Sequence, residues 1–180
     1  MTTSHTEQFS RATLHRRAKS GDYTRIARGI YRPADAPPAS PEWIEAATRS
    51  PHATICLASA LAHHSLTDTI PDTLEIALPR GTRPPATDSA ITWRLFDAGT
   101  FDIGRTQIPI PGTDMSIGLY SPERTLVDAF RLRGLIGYET ATEALKTWLG
   151  SGGKPARLAE IAVRLPRARG PVMQALEYLS

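Results

Sequence analysis

Residues 115–131 read MSIGLYSPERTLVDAFR, and this stretch indicates the architecture because it passes directly from a strand pattern to a helix pattern. Met115–Tyr120 has the composition of a strand. Ser121 is a suitable N-cap, Pro122 fits the first helical position, and Glu123 meets the positive end of the helix dipole. The apolar face of the predicted helix is formed by Leu126, Val127, Phe130 and Leu132. The stretch therefore predicts a sheet strand that leads into a core helix.

Three more strands are predicted upstream. Leu74–Leu78 alternates apolar and polar positions, and Ile91–Phe96 and Arg105–Ile110 follow with strand-like composition. The turn at 111–114, Pro-Gly-Thr-Asp, joins the last of these to Met115–Tyr120 and predicts an antiparallel hairpin. Together the four strands predict a small, mostly antiparallel sheet with helices packed on it.

Helical patterns flank the strands on both sides. Two helices are predicted before the sheet, at Pro41–Thr48 and His52–His64. Beyond residue 131 every predicted element is helical, at Tyr138–Leu149, Pro155–Leu165 and Pro171–Leu179. The predicted fold class is therefore α+β with an all-helical C-terminal third.

Positive charge is concentrated at the N-terminus. The whole chain has a formal net charge of +3, whereas residues 1–33 hold seven basic and two acidic residues, which is +5 and leaves −2 for the remainder. This asymmetry indicates an anionic partner for the N-terminal segment. Residues 34–41 are rich in Pro and Ala and predict an extended linker. The predicted division is a basic arm at 1–33, a linker at 34–41 and an α/β domain at 42–180.

The arm is predicted to contain a helix and a hairpin. Ser10 can cap a helix over Arg11–Ser20, and Tyr23–Tyr31 predicts a hairpin with Gly29 near its tip. A helix followed by a basic hairpin is the layout of the recognition helix and wing of a winged helix, whose basic side chains meet phosphates. We therefore predict nucleic-acid or partner contacts for Arg11, Arg16, Arg17, Lys19, Arg25 and Arg28. The alternative is a solvated basic surface.

This arm is only half of a winged module. Nine residues precede Ser10, and no supporting helices are predicted among them. An isolated short hairpin is marginal in water, so the arm is expected to dock on the rest of the chain or on another chain.

The sequence shows few residues in the patterns that catalytic sites use. His63 and His64 are adjacent, so on a helix they point about 100° apart and cannot chelate one metal as an i, i+4 pair could. Cys56 lies in an apolar run and is expected to be a buried, inert thiol. The chain has no GxxxxGK[ST], GxGxxG or GxSxG pattern. We expect a protein that is not an enzyme and needs no cofactor or metal.

A metal-dependent nuclease is a remote third hypothesis, because the arm is basic. Such an enzyme needs clustered carboxylates. Glu75 lies on a predicted strand, but no Lys follows two residues later, and Asp97 and Asp102 flank a turn that they are equally suited to form.

The sequence features that depend on the cellular compartment indicate the cytoplasm. The longest apolar stretch, Ala53–Ala62, is interrupted by Thr54 and Ser59 and is far shorter than the ~20 residues of a membrane span. Met1–Ser10 is polar and lacks the apolar centre of a signal peptide. The single cysteine fits a reducing compartment. No membrane partner is expected.

Four runs of sequence together resemble the AbiEi-type antitoxins, which pair with nucleotidyltransferase-like AbiEii toxins. The runs are RIARGIYR at 25–32, ICLASALAHHSLT at 55–67, LEIALPRG at 74–81 and SPERTLVDAFR at 121–131. Their order and spacing carry the resemblance, which covers about Ser10–Leu179.

The resemblance implies a toxin-neutralising C-terminal domain and an N-terminal winged helix that represses the operon. We therefore expect an antitoxin that acts by protein–protein contact on a cognate nucleotidyltransferase-like toxin. The alternative is a DNA-binding transcriptional autorepressor of its own operon, and the two functions can coexist. Direct complexes, indirect antagonism and modification of the toxin all stay open. Operator DNA and a second copy of the chain are further candidate partners.

Within the last run, Arg124 and Asp128 are spaced i, i+4 and are expected to pair on an exposed helix face. Such a pair contributes only ~0.3–0.5 kcal/mol, which favours a structural role for the helix. The alternative is a polar contact site for a toxin formed by Arg124, Asp128 and Arg131.

Overall fold

The computed structural model describes residues 9–179, apart from the side chain of Arg11. It confirms the α+β class. The helices are α1 Arg11–Lys19, α2 Pro41–Arg49, α3 Leu57–His63, α4 Pro122–Arg131, α5 Arg133–Ile136, α6 Tyr138–Gly150, α7 Pro155–Arg164 and α8 Arg169–Leu179. The strands are β1 Tyr23–Ala27, β2 Ile30–Pro33, β3 Thr54–Ile55, β4 Leu74–Pro79, β5 Ile91–Phe96, β6 Arg105–Pro109 and β7 Ser116–Tyr120.

The main sheet is mixed, in the order β5-β4-β3-β7-β6. β4 pairs with β5 and β3 with β7 in parallel, whereas the β3–β4 and β6–β7 pairs are antiparallel. The β6–β7 hairpin confirms its prediction. The mostly antiparallel sheet of about four strands needs correction, because five strands are present and half of their pairings are parallel. The long connection from residue 80 to residue 90 lets β5 return beside β4 in the same direction.

The central strand of the sheet differs from its prediction. A helix over His52–His64 is wrong in its first half, because Thr54 and Ile55 form β3 and the helix begins at Leu57. Both residues are β-branched and fully buried, which suits a strand in the middle of a sheet. Two residues are too few to show the alternation of a strand, so the sequence pattern alone extends the following helix over them.

The two faces of the sheet are covered by different parts of the chain. On one face, Ile44 of α2 and Ile26 and Ile30 of the arm pack against a cluster that includes Ile55 and Ile76. On the other face, Ala77, Phe96 and Tyr120 of the sheet pack against Leu132 and Ile136 at the start of the C-terminal helices, and a further cluster joins α3 to α4, α6, α7 and α8. The arm and the C-terminal helices therefore lie on opposite sides of the sheet.

Serine caps begin three of the helices, and the two at Ser10 and Ser121 confirm their prediction. Ser10 and Ser121 accept hydrogen bonds from the backbone N–H groups of Thr13 and Arg124, and Ser40 caps α2 in the same way. The C-terminal third is helical, as predicted, with the short helix α5 added. The arm hairpin is also confirmed, with a bulge between Arg25 and Ala27. Across residues 9–179, no helix is long and apolar enough to cross a membrane.

Candidate partner-contact sites

The arm helix exposes part of its predicted basic set. Arg16 and Lys19 point into solvent. Arg17 instead lies over the ring of Phe9, with 3.9 Å from the guanidinium carbon to the ring centroid, and 5.9 Å from that of Tyr23. This cation–π contact ties α1 to β1, so Arg17 supports the arm. The side chain of Arg11 lies outside the described residues.

The hairpin is held to the body through Asp88. The Asp88 carboxylate accepts the backbone N–H of Arg28 at 2.6 Å and pairs with the Arg25 guanidinium at 3.3 Å. The charge of Arg25 is thus partly neutralised, whereas the side chain of Arg28 is exposed. Of the predicted contact residues, Arg16, Lys19 and Arg28 are exposed with no ion pair to another described residue.

Glu45 of α2 binds the loop that carries Asp88, and Asp88 in turn anchors the hairpin of the arm. Its fully buried carboxylate accepts the backbone N–H groups of Asp88 and Ser89, at 2.9 and 2.8 Å, and a 3.3 Å bond from Arg49. Burial alone would raise the pKa of Glu45, but these hydrogen bonds outweigh burial, and the pKa lies below its usual value. Arg49 also donates to the backbone oxygen of Arg28 at 3.2 Å.

The second half of the hairpin has its own anchor. The Arg32 guanidinium donates to the backbone oxygen of Gly112 at 2.9 Å and to that of Pro37. Ala27 is buried where the hairpin meets the body. The arm therefore docks on its own chain, which is one of the two outcomes expected for half of a winged module.

The Arg124–Asp128 pair is buried, which corrects the prediction of an exposed pair. Arg124 is fully buried and Asp128 almost so, and their Nε and Oδ2 atoms are 2.8 Å apart. Arg124 Nη1 also donates to the backbone oxygens of Thr100 and Ile103, at 2.8 and 2.7 Å. The surface value for such a pair does not apply here, since removing one partner from a buried pair typically costs about 3–5 kcal/mol.

Asp128 serves two arginines. Its Oδ1 accepts the Nε and Nη2 of Arg131, at 3.1 and 2.7 Å, while Oδ2 faces Arg124. The guanidinium carbon of Arg124 lies 4.4 Å from the centroid of the Tyr120 ring. Of the three residues predicted as a toxin contact or structural element, only Arg131 reaches the surface, and the other two join α4 to the sheet.

Glu75, which the sequence suggests only as a candidate nuclease ligand, is a third buried carboxylate beside Glu45 and Asp128. Its Oε2 accepts the backbone N–H of Ala58 at 2.9 Å, and its Oε1 accepts the Nε and Nη2 of Arg94 at 3.0 and 2.7 Å. Glu75 thus joins β4, β5 and the first turn of α3. One signal was available, because a carboxylate inside the apolar strand LEIAL needs a buried partner.

The histidines and the cysteine have structural surroundings. His64 Nε2 lies 2.7 Å from the backbone oxygen of Tyr120, whereas His63 is exposed and packs beside Trp43. Contact with Trp43 leaves the His63 ring partly buried, and this partial burial, followed by the charge of His64, lowers the pKa of His63. Cys56 lies at the N-cap of α3, not inside a helix as predicted.

Burial raises the pKa of the Cys56 thiol well above its usual value, and the charges of Glu75 and Asp128 add to this effect. A thiol of this kind is a poor nucleophile.

Asp97 forms a turn, which was the alternative to a metal-ligand role, because its side chain accepts the backbone N–H of Thr100 at 3.1 Å. In the part of the chain that the structure describes, no three His, Cys, Asp or Glu side chains are grouped to hold a metal ion.

Comparison with known proteins gives neither a family nor a function, since the chain matches no protein-family model and no curated protein.

We predict that Gly104→Ala destabilises the fold through Arg124. A Cβ at Gly104 would lie 2.7 Å from the Cβ of Arg124, and Gly104 has a φ of +69°. Gly152→Ala is the matched control, because Gly152 has a φ of +92° but no atom within 4 Å of the added Cβ. In urea denaturation, Gly104→Ala should lower the free energy of unfolding by about 1–3 kcal/mol more than the control does, which is the usual cost of overpacking. Equal costs would contradict a tight contact at Arg124.

We also predict that Glu45→Gln lowers stability in a pH-dependent way. The folded pKa lies below the usual 4.5, so the carboxylate's contribution is complete above pH 4.5 and is lost as pH falls through the lowered value. At pH 7 the substitution should cost about 1–3 kcal/mol. Unfolding measured from pH 7 to pH 3 should show the difference from wild type shrinking. Glu42→Gln on the same helix is the control and should have a much smaller effect at pH 7; a pH-independent difference for Glu45→Gln would argue against the assignment.

Proposed function

We propose that the chain is a cytoplasmic antitoxin that neutralises a nucleotidyltransferase-like toxin by protein–protein contact. The observation that carries the proposal is the set of four runs resembling AbiEi-type antitoxins, in the order that the family has. What supports it further is that three of the runs build one framework. The 55–67 run forms α3, the 74–81 run supplies Glu75, and the 121–131 run supplies Arg124 and Asp128.

The buried position of Arg124 and Asp128 moves the proposed toxin contact to other residues. The C-terminal helices expose several apolar side chains, which a protein partner could cover. Val163 of α7 and Met173 and Tyr178 of α8 are exposed, Tyr178 by 80%. We place the toxin contact on this α7–α8 surface, on the face of the sheet opposite the arm.

A second function, DNA binding by the arm, is favoured by the exposed cations of Arg16, Lys19 and Arg28. They lie on both the helix and the hairpin, the two parts that meet phosphates in a winged helix. Three free cations support weak, salt-sensitive binding, near the micromolar range of non-specific complexes. We propose this activity as an addition to neutralisation.

The first test is rescue of growth. When the chain is co-expressed with its cognate nucleotidyltransferase-like toxin, to be sought in the neighbouring open reading frame, growth should recover. Met173→Asp with Tyr178→Asp should abolish recovery, because two charges would be buried against the toxin. Ile70→Asp is the control, since Ile70 is 88% exposed and lies outside α7 and α8. Continued growth arrest with wild-type chain would overturn the antitoxin proposal, and rescue by the double variant would overturn the α7–α8 contact.

The second test is the salt dependence of DNA binding. Each phosphate contact adds ~0.9 to the slope of log affinity against log salt, so replacing Arg16, Lys19 and Arg28 by Ala should lower the slope by up to about 2.7. The control replaces the exposed Lys154, Arg164 and Arg169 by Ala, which removes the same charge elsewhere. Growth rescue should survive in the arm variant. Absence of DNA binding by wild type at low salt, or an equal slope change in the control, would exclude the arm as a DNA-binding element.

A further inference from the structure

A cavity lined by arginines lies at the carboxyl ends of the parallel strands β4 and β5. Its volume is about 370 Å³, within the usual size of small-molecule sites. The strand ends contribute Phe96 and Asp97, and the α4–α5 junction and the α7–α8 loop close the other sides. Four arginines line it: Arg80, Arg94, Arg131 and Arg167.

Two of these arginines are fixed in place. Arg94 donates its Nε and Nη2 to Glu75, and Arg131 donates the same two atoms to Asp128. The carboxylates are buried, whereas the arginine side chains are 31% and 12% exposed. Each guanidinium therefore keeps its Nη1 group without a hydrogen-bond partner among the described residues. Such orientation lowers the entropic cost of binding an anion.

The other two arginines lie at the rim. Arg80 follows β4, and its backbone N–H donates to the oxygen of Phe96 at 2.6 Å. Arg167 adopts a φ of +63°, which a non-glycine residue rarely does, in the loop between α7 and α8. Both residues are exposed. Their side chains can therefore close on a ligand that the fixed pair has already bound.

An apolar wall completes the cavity. It is formed by Leu95, Phe96, Leu132, Leu135 and Pro166. Leu135 is 53% exposed, which leaves apolar surface open to a ligand. A ligand with an anionic group and a flat apolar part would meet both kinds of lining.

The charges in and behind the cavity sum to a positive value. The four arginines and Arg124 behind them outnumber the carboxylates of Glu75, Asp97 and Asp128, five to three, which leaves +2. The forks of the two rim arginines and the Nη1 groups of the fixed pair can donate to the oxygens of a phosphate, and a phosphate monoester is close to a dianion at neutral pH. We propose that this cavity binds a nucleoside phosphate, with the phosphate between the arginines and the base on the apolar wall. The site goes beyond the proposed antitoxin function and does not depend on it.

Calorimetry with the full chain tests the proposal, with AMP, ADP, inorganic phosphate and adenosine as the probes. AMP or ADP should bind, and adenosine and inorganic phosphate should each bind at least tenfold more weakly. Arg80→Gln with Arg167→Gln should weaken AMP binding by about tenfold or more per guanidinium, as loss of a charged hydrogen bond does. Both residues are exposed, so the fold should tolerate the change. The control is Arg83→Gln with Arg133→Gln, which removes the same charge from exposed residues outside the cavity lining.

Four outcomes would overturn the proposal. Adenosine binding as tightly as AMP would show that the phosphate is not recognised, and phosphate binding as tightly as AMP would show that the apolar wall is not used. An equal loss of AMP affinity in the control variant would show that the effect comes from general surface charge and not from the cavity. Failure of both AMP and ADP to bind at millimolar concentration would also overturn it. None of these results changes the expected growth rescue, so the two proposals fail separately.

Discussion

The buried guanidinium of Arg124 is the interaction on which the arrangement of the body depends. It lies in α4, yet it bonds to the backbone oxygens of Thr100 and Ile103 and stacks beside Tyr120 of β7. One side chain thus joins the connection between β5 and β6, strand β7 and the helix that starts the C-terminal third. A buried cation is tolerated only with a buried counter-charge, and Asp128 supplies it from one turn later on the same helix.

Two more buried carboxylates solve a similar problem elsewhere in the chain. Glu45 binds the backbone N–H groups of the loop before β5, and Glu75 binds one in the first turn of α3. Loops carry backbone groups that must find partners when they are covered. Each carboxylate meets that need and is itself balanced by an arginine, Arg49 or Arg94. The positions of the loops are therefore set by specific charges as much as by the apolar clusters.

Local signals made much of this fold predictable. The Ser121-Pro122 start of α4 depends on neighbouring residues alone, and the β6–β7 hairpin depends on its turn, so the sequence was sufficient for both. β3 was missed because its assignment depends on β4 and β7, which lie far along the chain. The i, i+4 spacing of Arg124 and Asp128 predicted their pairing but not their burial, because burial depends on Thr100 and Ile103. The basic arm was predicted from its charge, whereas Asp88, its anchor, had no local signal.

The same anchor limits what the arm can do. Asp88 holds the hairpin by the backbone of Arg28 and by the side chain of Arg25, and Glu45 fixes the loop that carries Asp88. A phosphate that recruited Arg25 would have to displace Asp88, and the same carboxylate would keep only its bond to the Arg28 backbone. DNA contact through Arg16, Lys19 and Arg28 leaves this anchor intact. The arm can therefore meet a polyanion with its outer cations while its inner face stays part of the sheet's core, so a DNA-binding role does not require the arm to leave the body.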